Sequence, residues 1–317
     1  SWREAVAQGC RQGRQGLGIV YVWAAGNGGR GEIDNSNYDG QANNRHVMAV
    51  AAVGDDGKRA GYSEQGANLW LAAPSRGNSG QGLTTTDRSG EQGFNTSSQY
   101  WDLPDKNYTK SFSGTSAATP LVSGVSALVI AANPHLSWRD VRIIMARSAR
   151  QNDINDPDWH YTQGEFAYPI NHKYGFGVVD AQAAVQLAKQ WTAVTPEIEI
   201  HSAINWVNRS IPDDDDSGIS SNIYIPEDIL IEFVEVILDA GDHTNQGDLN
   251  ILLTAPTGTQ SVLARPHPCQ STPCNSRYIN WRFGTARHLD ESAAGMWRLT
   301  ISDENPQYVG TFRSWSL

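Results

Sequence analysis

A chain of 317 residues with 39% apolar side chains and a mean hydropathy of −0.46 is long enough for two domains that each bury a core. Its formal charge of −10 argues against a nucleic-acid partner and mildly favours basic ligands. The longest apolar run, around Val125 to Ala132, is too short to span a bilayer, so no membrane segment is expected.

The first stretch, Ser1 to Arg14, has helical character with Ser1 inside it, and neither an initiator Met nor a signal peptide precedes it. A missing N-terminal portion is therefore expected. Leu17 to Ala25 is an unbroken β-rich apolar run, suited to a buried parallel strand of an α/β sheet. It ends in Gly26-Asn27-Gly28-Gly29-Arg30-Gly31, which fits the G-x-G-x-x-G dinucleotide pattern. That pattern needs a helix opening at the glycines, whereas Glu32 to Asn44 is polar and turn-rich. The glycines are better read as a turn that leaves the Asn27 amide free to donate to a ligand.

Two strand-like segments follow, His46 to Val53 and Asn68 to Ala73, separated by a turn at 54–57 and by Tyr62-Ser63-Glu64. From Pro74 to Asp105 the chain is a Gly/Ser/Thr/Asn-rich loop without periodicity, long for a compact domain. It leads into Ser113-Gly114-Thr115-Ser116-Ala117-Ala118-Thr119-Pro120 and the run Leu121 to Ala132. Small neighbours leave the Ser116 hydroxyl uncovered, and the run is apolar nearly all round, as a helix buried in a large core would be. Backbone N–H groups and the positive end of the helix dipole beside such a serine suit a developing oxyanion. An isolated Gly-Thr-Ser would read as a plain helix cap; the eight-residue string favours a nucleophile.

Asn133-Pro134 breaks this helix, and Ser137 caps a second, Trp138 to Ala149, with Val141, Ile144, Met145 and Ser148 on one face. A loop carrying Asp153, Asp156 and Asp158 runs to Tyr174, and Asp180 caps a third helix. Beyond Trp191 helical periodicity ends and Thr195-Pro196-Glu197 reads as a linker, giving units 1–193 and 194–317. Ile229 to Leu238, Leu249 to Thr254, Ser261 to Ala264 and Trp297 to Ile301 cluster β-formers between turn residues, indicating an antiparallel β-sandwich. Asp213 to Asp216 is read as a solvated loop rather than a cation site. Cys269 and Cys274 lie in a Pro-rich loop and make either a local disulfide, which would indicate an oxidising compartment, or two free thiols, with Cys10 left over.

Together, VWAAGNGG at 22–29, YSE at 62–64, SGTSAATP at 113–120, SWRDVR at 137–142 and YGFGVVDA at 174–181 resemble the subtilisin-like proteases of the kexin/furin type. GDLNILLTAPTGT at 247–259, GMWRLTISDE at 295–304 and GTFRSWSL at 310–317 resemble that family's P domain. The resemblance implies an α/β subtilisin-like domain, a parallel sheet flanked by helices with its N-terminal part missing. An all-β jelly-roll-like sandwich, cut short at its last strand, would follow. It also implies Ser116 as nucleophile, Asn27 as oxyanion donor, and Asp39 as a buried acid at the base of the pocket for a basic P1 residue, with Trp23 and Ala24 in substrate binding. Asp34 and Glu64 match Ca²⁺ ligands, a third being expected upstream of residue 1. The implied partners are a protein or peptide substrate with basic P1, the absent N-terminal part of the domain, and a propeptide or chaperone. The implied location is secreted, periplasmic or in the secretory-pathway lumen.

One departure matters. The family's Asp and His precede the strand ending at Asn27, and neither motif occurs here; none of the eight histidines replaces the base. The chain alone is therefore expected to lack normal hydrolytic activity, as the C-terminal part of a longer protease. A peptide-binding pseudoprotease is the competing account, disfavoured because it would be free to lose Ser116. In a third account the sandwich is a carbohydrate- or protein-binding module. Against it, Trp281, Trp297 and Trp315 are spaced like strand-core residues, which favours a module that stabilises its neighbour.

Overall fold

The computed structural model describes residues 1–32, 34–99, 102–268 and 277–317, so Cys269 and Cys274 lie outside the described residues. Cys10 is a buried free thiol. Helix α1 (Trp2–Gln12) starts at Ser1, whose hydroxyl accepts from Glu4 N while the Glu4 side chain returns to the cap, a complete capping box. Ser1 thus caps the helix and does not lie inside it, as the sequence had led one to expect. The first strand is also shorter than expected, with β1 covering only Tyr21–Ala24. Gly18 takes φ +82°, the N–H groups of residues 17–19 donate to Arg14 O, Gly13 O and Gly9 O, and Leu17 O accepts from Trp138 N, so these groups are not free for a ladder.

β1 pairs in parallel with β2 (Val47–Val53), which pairs in parallel with β3 (Leu69–Pro74), in the order β1-β2-β3. Every residue of β2 is buried, as a parallel strand covered on both faces requires. The long loop after β3 contains a hairpin that lacks any periodic signal, β4 (Leu83–Thr86) against β5 (Tyr108–Phe112). Its tip is organised by buried Asn95, whose amide donates to the carbonyls of Leu103, Asp105 and Tyr108.

α2 (Thr115–Ala132) packs on all three parallel strands and on α4 (Ala181–Lys189), with α3 (Trp138–Arg147) beside them; a two-residue pairing of β6 (His160–Tyr161) with β7 (Pro169–Ile170) lies between α3 and α4. The predicted all-round burial of α2 is not observed. Val122, Ser126 and Val129 form one covered stripe, while Leu121 and Leu128 are exposed, because nothing among the described residues packs on that side. By length and composition its 18 residues would suffice to cross a membrane, which corrects the expectation that no run is long enough. Its buried stripe against β1–β3 is that of a core helix.

The second unit comprises β8 (Asn205–Ile211), β9 (Asp215–Ile225), β10 (Val234–Asp239), β11 (Leu249–Thr254), β12 (Gln260–Ala264), β13 (Trp281–Thr285), β14 (Gly295–Asp303) and β15 (Gly310–Ser316). They form two antiparallel four-stranded sheets, β13-β10-β15-β8 and β12-β11-β14-β9. Inward alternation builds the core: Leu249, Ile251 and Leu253 on β11 meet Trp297, Leu299 and Ile301 on β14, with Phe283, Phe312 and Trp315 from the facing sheet. β8 and β9 carry few apolar residues, which hid them in the sequence. Asp213 and Asp214 are exposed in the turn between these two strands, and Asp215 and Asp216 open β9.

The units share a polar, well-bonded interface. Arg139 forks onto Glu232, Arg147 pairs with Asp290 at 2.7 Å, Gln163 N donates to buried Glu291 at 2.8 Å, and Ala286 N donates to Ala67 O at 2.9 Å. Trp297 and Trp315 are buried as expected, whereas Trp281 is half-buried and faces the other unit, donating from Nε1 to Asn37 O at 3.3 Å.

Candidate active site

The turn that presents Ser116 is held by its neighbours on both sides. Gly114 has φ +86°, open to glycine without strain, and caps α2 without a side chain. The Tyr62 hydroxyl accepts from Gly114 N at 3.1 Å and donates to Ser75 Oγ at 2.9 Å, and Ser75 in turn donates to Gly114 O at 2.9 Å. This closed relay fixes both polar groups of one peptide position from two separate elements. Thr115 is buried one residue later, and its N–H and hydroxyl both donate to Asn27 Oδ1, at 2.9 and 3.1 Å.

That pair of bonds sets the Asn27 amide. With Oδ1 occupied, Nδ2 is the outward group, and it donates to nothing among the described residues. Gly26, at φ +113°, lets the chain turn so that its own N–H reaches Thr115 Oγ1 at 3.3 Å. Ser116 is exposed and its hydroxyl has no partner among the described residues. It is the second residue of α2, where a backbone N–H has no intrahelical acceptor. An exposed hydroxyl is thereby accompanied by two free donors, Ser116 N–H and Asn27 Nδ2, at the positive end of a helix, an arrangement able to stabilise a tetrahedral oxyanion.

A second group gathers around Gly28. Buried Glu64 accepts from Gly28 N at 2.9 Å, and Asp34, which accepts from Asn35 N at 2.9 Å, packs on the same glycine: an added Cβ there would lie 2.8 Å from Asp34 Oδ2. Burial pushes the Glu64 carboxyl up to about 7, opposed by the Gly28 N–H and assisted by the Asp34 and Asp39 carboxylates. Two hard oxygen donors from separate loops, repelling one another in a half-enclosed place, fit part of a Ca²⁺ site. Among the described residues no three His, Cys, Asp or Glu side chains gather closely enough to hold a metal by themselves.

The Asp39 carboxylate is exposed, which corrects the expectation of a buried one; nothing among the described residues covers it, and Oδ1 accepts from Gln41 N at 2.6 Å in an Asx-type turn. Trp23 and Ala24 lie half-buried on β1, with Trp23 edge-on to Trp2 at 5.4 Å, and β1 is an edge strand among the described residues. No histidine bonds to Ser116. Four are buried in structural pairings instead: His46 with Asn44, His172 with Asp158, His243 with Asp303 and His288 with Glu291.

Sequence comparison places this geometry. The subtilase family (peptidases S8) matches residues 1–177, and the proprotein convertase P-domain matches residues 231–317. The chain belongs to the subtilase family. It is 33% identical to human proprotein convertase subtilisin/kexin type 6 over 99% of its own length and 32% of that protein. Identity to the dibasic-processing endoprotease of Schizosaccharomyces pombe is also 33%, over 99% of this chain and 43% of that one. The chain thus spans about a third of the human relative and less than half of the yeast one. The serine protease of Aeromonas sobria superposes with a TM-score of 0.85 at 25% identity, covering 99% of this chain and 66% of that one.

In this subtilase the motif strings single out Ser116, Asn27, Asp34, Glu64 and Asp39 but not the neighbours that hold Ser116 and Asn27. Thr115 lies inside the Ser113–Pro120 motif and Tyr62 inside the Tyr-Ser-Glu string, where the string marks a neighbouring residue rather than either of them. Ser75 and Asn37 carry no local signal, since their partners lie far away in sequence.

Proposed function

We propose that the intact protein is a serine endopeptidase that cleaves peptide bonds after basic residues. The observation that carries this reading is the Thr115 grip on Asn27 Oδ1, which leaves Nδ2 and the Ser116 hydroxyl together at the start of α2. Ser116 Oγ attacks the scissile carbonyl and forms an acyl-enzyme, while Asn27 Nδ2 and Ser116 N–H receive the oxyanion. The proton leaves Oγ to a histidine base supplied from outside this chain, as the absence of both other triad motifs requires. Asp39 accepts the charged P1 side chain through charge-assisted hydrogen bonds, with Trp23 and Ala24 lining the approach of the substrate backbone. The dibasic specificity named for the fission-yeast relative supports this choice of P1.

Steady-state rates of the intact protein on peptides differing only at P1 test the reading. Arginine should exceed norleucine by at least about a hundredfold in kcat/KM, and Asp39→Asn should remove most of that ratio. Equal rates for the two peptides would sink the assignment.

Asp34 and Glu64 hold Ca²⁺ in this reading, and the bound cation supplies the positive charge that lets both carboxylates stay ionised. Glu64, raised to about 7, stabilises the fold below its unfolded value and loses that contribution as pH rises through 7. Cation and proton therefore compete. Calcium should raise the melting temperature more at pH 8 than at pH 6, and Glu64→Gln should abolish the difference; at a hundred times Kd the gain is about 2.7 kcal/mol. An unchanged melting curve at both pH values would remove Ca²⁺ from the proposal. A secreted or secretory-lumen location belongs to the same reading, as does a chaperone partner, since a structure of the Aeromonas sobria protease contains one.

A further inference from the structure

We infer that the β-sandwich unit helps choose the P1 residue, through Asn37 as a positioning residue for Asp39. This rests on the role given to Asp39 above. Asp34 and Asp39 bracket a short segment whose middle is held by the other unit. Asn37 is fully buried, and its amide pairs reciprocally with one backbone position of β13: Nδ2 donates to Gly284 O at 2.9 Å, and Gly284 N donates to Oδ1 at 2.8 Å. Trp281 Nε1, on the same strand, donates to Asn37 O at 3.3 Å. Two parallel bonds to one amide fix rotation as well as position, much as a ladder pair does in a sheet.

The next residue is gripped by the same unit. The Tyr38 hydroxyl accepts from Arg265 N and donates to Arg265 O, both at 3.2 Å, and its ring lies 4.8 Å from that of His267. Gly284 is required for the approach, since a Cβ there would sit 2.7 Å from Asn43 O. Within its own unit the segment is held by Ser36 N on Gln65 O at 2.9 Å, Tyr38 N on Asn35 O at 2.7 Å, Asn35 Oδ1 on Asn37 N, Asn43 Nδ2 on Asn37 O, Asn43 N on Asp39 O at 3.1 Å, and a long 3.4 Å contact of Asp39 N with Ser36 O. Among the described residues, Asp39's side chain is hydrogen-bonded only by Gln41 N. Asp39 lies two positions after Asn37, a reach of at most about 7 Å. Asn43, which holds Asp39 O, itself donates from Nδ2 to Arg282 O at 2.6 Å, so the carboxylate takes its place from a segment anchored on the sandwich at both Asn37 and Asn43.

A purely stabilising contact would lower the melting temperature and leave selectivity alone; a positioning contact moves KM for one P1 class. In the intact protein, Asn37→Ala should raise KM for an arginine-P1 peptide about tenfold. It should leave kcat, and both constants for the norleucine-P1 peptide, within about twofold, in line with the steep cost of small misplacements. Asn37→Asp keeps the acceptor for Gly284 N and should fall between wild type and Asn37→Ala. Tyr38→Phe, a mild change on the same anchor, should shift KM in the same direction and reads the effect if Asn37→Ala does not fold. Thermal unfolding is followed for each variant. An arginine preference that survives in all folded variants while melting temperature drops would overturn the inference, as would parallel changes for both peptides. A wild type without arginine preference, by contrast, would overturn the role of Asp39 itself.

Discussion

Ser116→Ala in the intact protein is expected to lower kcat by on the order of a millionfold while leaving KM within a few-fold, because in the proposed acyl-enzyme route the hydroxyl would form the covalent bond and contribute little to ground-state binding. Asn27→Ala should cost about two to three powers of ten in kcat, the typical loss of one oxyanion donor. The geometry makes a finer claim. Asn27→Asp keeps an acceptor for the two Thr115 bonds and loses the Nδ2 donor, so it should retain the fold and still lose nearly as much activity as Asn27→Ala. Should Asn27→Asp keep more than a tenth of wild-type kcat, the donor role would fall. The 317-residue chain alone, with no base, should show no more than the residual rate that binding and the oxyanion site give. Robust turnover of an arginine peptide by that chain would mean that the base lies within it.

Much of the fold was legible because its signals are local. The caps at Ser137 and Asp180, the continuous apolar run of β2 and the alternation of β11 and β14 each follow from a few neighbouring residues. What escaped depends on partners distant in sequence. The β4–β5 hairpin is polar and stands on the Asn95 hub, and β8 and β9 acquire strand form from β15 and β14 rather than from their own apolar pattern. The exposed side of α2 shows the converse error: composition reports what a helix could bury, whereas Val122, Ser126 and Val129 are covered and Leu121 and Leu128 are left exposed. At the candidate site, motif strings named Ser116 and Asn27, whereas Thr115, Tyr62 and Ser75, which bond around them, and Asn37 answer to contacts across the fold.

Acid should loosen the interface between the two units, and His172 is the residue that makes it do so. Val262 N, a backbone group that can only donate, hydrogen-bonds to His172 Nε2 at 3.0 Å, so the other ring nitrogen carries the hydrogen and donates to Asp158 at 3.0 Å. A proton on Nε2 would face the Val262 N–H directly. Burial holds His172 down at about 4, helped by the Arg287 charge and opposed by Asp158, and Asp158 itself lies well below the usual carboxylate range because His172 bonds to it. The unfolded histidine binds its proton near 6.5, before the folded one, so the contribution is complete above that value and is lost as pH falls toward 4. The loss amounts to about 3 kcal/mol. Protonation of Asp158 extends it in the same direction at lower pH. His46, buried and lowered to about 3, adds a slope of the same sign; comparing wild type with His172→Gln cancels it, since both proteins keep His46. Denaturant unfolding between pH 7 and 4 should therefore fall less steeply in His172→Gln, whose side-chain oxygen can still accept from Val262 N at every pH. Identical slopes would show that His172 is not the group through which acid reaches the interface.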